Sequence, residues 1–181
     1  MVLNSMRALD WMASHRRLLW IVTIFWLLMV LSILNRHWAM YPSFSTHDQG
    51  IFNQIFWNGT QGRFFEGTLS SGESAAVLFD NQLPDVNYRR LGQHFTPIHL
   101  LWLPLYALLP FSATLLVLQV TLVTAGGVAL YFLARQRLSE QVAGWMTLGY
   151  FCAQAVMAPN LANFHDFSQI PLWVFLMLLA V

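Results

Sequence analysis

Apolar residues gather along this chain in long blocks separated by polar stretches. Leu18 to Leu34 holds no charge over seventeen residues, and the apolar character continues to Trp38. That block predicts one transmembrane helix over 18–38. A polar segment with four Arg and five acids occupies 35–93, and then no charge appears from Leu91 to Ala134. Pro97, Pro104 and Pro110 punctuate the start of this second apolar stretch. Phe95–Leu109 is short for a crossing and has Pro104 inside it, so it predicts an interfacial or re-entrant helix. Phe111–Ala134 would be about 36 Å long at roughly 1.5 Å per residue, which predicts a full span over 111–134. Gln141–Ala158 is the next charge-free run. With Ser139 as N-cap and Glu140 in the first turn it predicts a span over 140–158. A loop over 159–169 follows, and Pro171 suits the first turn of a last helix over 170–181. That remnant is too short to cross a bilayer, so the chain reads as part of a longer protein.

The expected fold class is therefore all-α, a multi-pass transmembrane protein. Composition agrees: 57% of the residues are apolar and only 9% are charged, against about a quarter charged in a soluble domain. Net charge of +1 gives no basic stripe, so no nucleic acid partner is expected. The single cysteine, Cys152, lies in an apolar run and reads as a small packing residue.

Arginine sets the expected orientation. Arg7, Arg16 and Arg17 precede the first span and no cleavage site follows it, so 1–17 reads as a cytoplasmic N-terminus on an uncleaved signal anchor. Arg135 and Arg137 close the long span. They lie inside only if Phe95–Leu109 does not cross, and 39–110 is then an extracytoplasmic loop.

The candidate chemistry lies in the two outer loops. Thr46 and Gln49 match a capping box, and Ile51, Phe52, Ile55 and Phe56 form an apolar stripe, so an amphipathic helix is expected on the outer membrane face. Asp48 falls in its first turn. Stabilisation by the helix dipole explains an acid there; a metal ligand or general base is the functional alternative. Gln54 is on the polar side of the same helix. Asn58-Gly59-Thr60 is formally a glycosylation acceptor. Most charges from Arg63 to Arg90 read as a solvated loop. Arg63 is excepted, because a guanidinium just past the helix suits a lipid phosphate. After Glu140 the only charge is Asp166, beside His165. It is either a loop acid capping the next helix or, with Asp48 and His94 or His165, a ligand for a hard divalent cation. His94, where the loop meets the membrane, is a better candidate than His99, which reads as a packed or interfacial side chain. Gln119 is expected to hydrogen-bond between helices, and Ala125, Gly126, Gly127 and Ala129 to permit close packing.

Three blocks carry a resemblance. His47 to Trp57 through Gly62-Arg63, then His94-Phe95-Thr96-Pro97 with Leu103 to Ala107, then Asn163 to Phe167, resemble a large prokaryotic family of predicted membrane proteins of unknown function. That family is distantly similar to the GT-C membrane glycosyltransferases, which include protein O-mannosyltransferases, aminoarabinose transferases and oligosaccharyltransferases. The resemblance implies a GT-C-like N-terminal part, with a sugar donor on a polyprenyl phosphate carrier. It implies catalysis by Asp48 and a second acid, Asp166. The expected site is then Asp48 as general base or metal ligand, Asp166 and His165 on a divalent cation such as Mg or Mn, and Gln54, Arg63 and His94 on the substrate. The expected location is a prokaryotic plasma membrane, with the lipid bilayer and other membrane subunits as partners. A non-catalytic membrane subunit or truncated remnant, and a transporter or flippase fragment, are the alternatives. The charge-free spans count against the transporter.

Overall fold

The first apolar block contains no Gly or Pro, and a helix closes its backbone hydrogen bonds within the segment. In the computed structural model it forms α1 (Arg16–Ala39). The structure describes residues 15–40, 47–67, 69, 89–92 and 94–181. The remaining helices are α2 (His47–Thr60), α3 (His99–Leu108), α4 (Ser112–Arg135), α5 (Glu140–Cys152), α6 (Gln154–Ala162) and α7 (Ile170–Leu179). Short 3₁₀ turns occupy Arg90–Gly92 and Asp166–Gln169. Among the described residues there is no strand, only an isolated bridge between Glu66 and Arg89. Two helices, α1 and α4, are long and apolar enough to cross a membrane. In α4 67% of the most apolar window is buried against protein, and in α1 only 17%.

Two compact units are present: Met1–Ile33 with Gln119–Ala162 and Phe167–Val181, and Leu34–Leu118 with Asn163–Asp166. In the first, Leu18 packs with Tyr131, Ala134 and Ala143. Phe25 stacks on Phe151 with centroids 4.0 Å apart. Gly127 makes this approach possible, since a Cβ there would run into the Phe151 ring. Gln119, buried in α4, donates to the Pro159 carbonyl at 3.1 Å. That carbonyl lies in the last turn of α6, where helical carbonyls have no intrahelical donor.

In the second unit α2 packs on α3. Ile51 and Ile55 meet Phe65 and Leu91, and the Tyr106 hydroxyl donates to Asn53 Oδ1 at 2.8 Å. Gly62 takes φ +78 just past α2, a conformation that costs glycine little.

Several expectations are corrected. The run 140–158 is two helices, broken at Ala153, whose φ −66 and ψ 131 are extended. The second of these continues past Pro159 to Ala162. The proline removes one helical bond, to Ala155, and the last turn survives it. The loop expected over 159–169 is correspondingly short. The α2 stripe of Ile51, Phe52, Ile55 and Phe56 is fully buried in protein rather than laid on lipid. Glu66 and Arg90, read as solvated, are buried. Cys152 is exposed rather than packed. Arg7, Thr46, Glu73, Asp80 and Asp85 lie outside the described residues.

Candidate functional site

Asp48 lies in the first turn of α2, with its side chain about half exposed, and faces His165, Oδ2 to Nε2 at 3.8 Å. The other nitrogen of His165, Nδ1, faces Asp166 Oδ1 at 3.6 Å. Asp166 Oδ2 in turn faces His99 Nε2 at 3.5 Å. Four titratable side chains thus form one line: carboxylate, imidazole, carboxylate, imidazole. The line runs from the surface inward, because Asp166 and His99 keep only 5% and 4% of their side-chain surface.

A buried glutamine sets the register. Gln49, next to Asp48, donates through Nε2 to Ser112 Oγ at 2.8 Å and to the Ser112 carbonyl at 3.2 Å. Its Oε1 accepts from the Phe164 backbone N–H at 2.7 Å. One side chain therefore ties the first turn of α2 to the segment carrying His165 and Asp166. Phe52, one turn on, is the packing centre. Its ring meets those of His99, Phe164 and His165 at 5.6, 5.1 and 5.9 Å, and the Arg90 guanidinium lies 5.1 Å from its centroid. Phe65 has φ +63, unusual for a side chain with a Cβ. It stacks its ring near His99 at 6.3 Å and receives the Arg90 backbone N–H on its carbonyl at 2.9 Å.

Burial alone would push the Asp166 carboxyl up. The buried His99 beside it and the charges of His165 and Arg90 outweigh it and hold the group below its usual value of 3.8. Asp166 is therefore a carboxylate at neutral pH, though almost closed off from water.

The other expected site residues make contacts of their own. Arg63 is exposed and donates to Asn58 Oδ1 at 2.7 Å. Asn58 also donates to the Glu66 carbonyl at 3.0 Å, so both of its amide atoms are engaged. Gln54 accepts from the Leu69 backbone N–H at 3.2 Å. His94 is half-buried; its backbone N–H donates to the Arg90 carbonyl at 2.8 Å. Among the described residues, no group of three or more His, Cys, Asp and Glu is placed to hold a metal ion.

Sequence reasoning missed Gln49, Arg90 and His99 as site residues. For His99 a signal existed: it and Asp166 are polar groups in apolar surroundings, and such groups need each other.

A chain that is mainly helical in its described residues, with two helices able to cross a bilayer and an ionisable line held beside an amphipathic helix, defines a helical membrane protein. The family model described as "Predicted membrane protein (DUF2079)" matches residues 36–181, and the chain belongs to that family. The chain matches no curated protein and no solved structure.

Proposed function

We propose that this chain carries the acidic site of a GT-C-like membrane glycosyltransferase, which moves a sugar from a polyprenyl phosphate carrier to an acceptor on the extracytoplasmic side of a prokaryotic plasma membrane. The observation that supports this reading is the half-exposed Asp48 carboxylate backed by His165, Asp166 and His99. Asp48 acts as general base and accepts the proton of the acceptor hydroxyl. The acceptor oxygen bonds to the anomeric carbon as the bond from that carbon to the phosphate oxygen breaks. The electron pair leaves with the polyprenyl phosphate. His165 orients Asp48, and Asp166 and His99 fix the His165 ring. Arg63 offsets charge on the departing phosphate, while Gln54 and His94 contact the donor. No step is routed through a divalent cation.

The test is sugar transfer from a synthetic polyprenyl phosphate sugar in membranes containing the full-length protein. Asp48→Asn should lower turnover about a hundredfold or more, the range of general acid–base contributions, while donor binding stays within about twofold. Wild-type turnover in Asp48→Asn would remove Asp48 from the chemistry. Absence of donor binding in the wild type would remove the glycosyltransferase reading.

A further inference from the structure

The first compact unit holds a second feature. A cleft of about 410 Å³ opens between α1, α4 and α5, within the ~300–1,000 Å³ of small-molecule pockets. Its walls are apolar and aromatic: Trp20 and Ile21 from α1, Tyr131 from α4, Trp145 and Leu148 from α5. Trp20 and Trp145 are exposed. Arg17 also lines it, in the first turn of α1.

The packing of Leu18 on Tyr131 and Ala134 brings the start of α1 to the end of α4. That contact gathers Arg16, Arg17, Arg135 and Arg137 at one end of the bundle, against Glu140 as the acid of the cleft. The first turn of a membrane-crossing helix lies at headgroup level, and the following turns lie among acyl chains. Within the cleft Arg17 is matched by Glu140, so the positive excess at headgroup level comes from Arg16, Arg135 and Arg137 at the same end of the bundle, above an aromatic trough where an acyl chain would sit.

We propose that this cleft binds one anionic phospholipid, its phosphate on Arg17 and one acyl chain along Trp20, Trp145 and Leu148. Gly144 forms part of the floor. A Cβ at Gly144 would have nothing within 4 Å, so a larger side chain there fills the cleft without pressing on the protein.

The experiment is native mass spectrometry of the full-length protein released from bilayer discs holding equal phosphatidylglycerol and phosphatidylcholine. The wild type should retain phosphatidylglycerol over phosphatidylcholine by about fivefold, the factor one basic residue near an anionic surface supplies. Arg17→Gln should abolish the preference, and Gly144→Leu should lower retention of both lipids. Arg137→Gln, which does not line the cleft, should keep the preference. Equal retention of the two lipids by the wild type would overturn the proposal. So would an unchanged preference in Arg17→Gln, or displacement of the lipid by inorganic phosphate alone. If Gly144→Leu unfolds, as read by its thermal midpoint, Arg17→Gln decides alone.

Discussion

Asp166 and His99 are the residues on which the site depends physically. Each is almost fully buried, and the carboxylate stays ionised because His99, His165 and Arg90 outweigh its desolvation. Removing His99 takes away one of the three groups that offset the burial of Asp166. His99→Ala should therefore cost about 1–3 kcal/mol, the range for a buried polar group losing its neighbour, read as a lowered midpoint of thermal unfolding. The pH dependence follows from the lowered Asp166 value. A carboxylate held below 3.8 contributes stability that is complete above its unfolded value and is lost as pH falls through its folded value. The thermal midpoint should fall on acidification below about pH 4, the unperturbed carboxylate range. Asp166→Asn, compared over the same pH series, should show a shallower fall. An identical acid limb in Asp166→Asn would assign that stability elsewhere.

At the scale of elements, what was legible in the sequence was length and apolar density. α1 and α4 announce themselves because a charge-free run of that length has one low-energy state in a bilayer. The break at Ala153 was not legible: nothing in Phe151-Cys152-Ala153-Gln154 disfavours a helix, and the backbone leaves it through a φ and ψ that alanine tolerates. Nor was the setting of α2. The stripe Ile51, Phe52, Ile55 and Phe56 is equally compatible with lipid and with protein, and only the packing of α3 and Phe164 decides for protein. Asp48 and Asp166 were legible as isolated acids beside apolar segments. That Gln49 bolts them into one line was not, because a buried glutamine leaves no periodic trace. The small residues of α4 were legible and have a measurable consequence. Gly127→Leu should cost about 1–3 kcal/mol by overpacking Phe151, seen as a lower thermal midpoint. Gly144→Leu, where nothing lies within 4 Å of a Cβ, should change it far less in lipid-free detergent.

For the molecule as a whole, membership of the membrane protein family covers 36–181, the stretch that contains the whole ionisable line. The proposed glycosyl transfer requires that line to act as one device, with Asp48 meeting the substrate and His165 setting its orientation. Residues that act as a unit give losses that do not multiply. The decisive measurement is the transfer rate of Asp48→Asn, His165→Gln and the double variant in the same membranes. The account predicts that each single variant loses activity and that the double variant is no slower than the worse single within about threefold. Losses that multiply, or a His165→Gln variant with full activity, would contradict it.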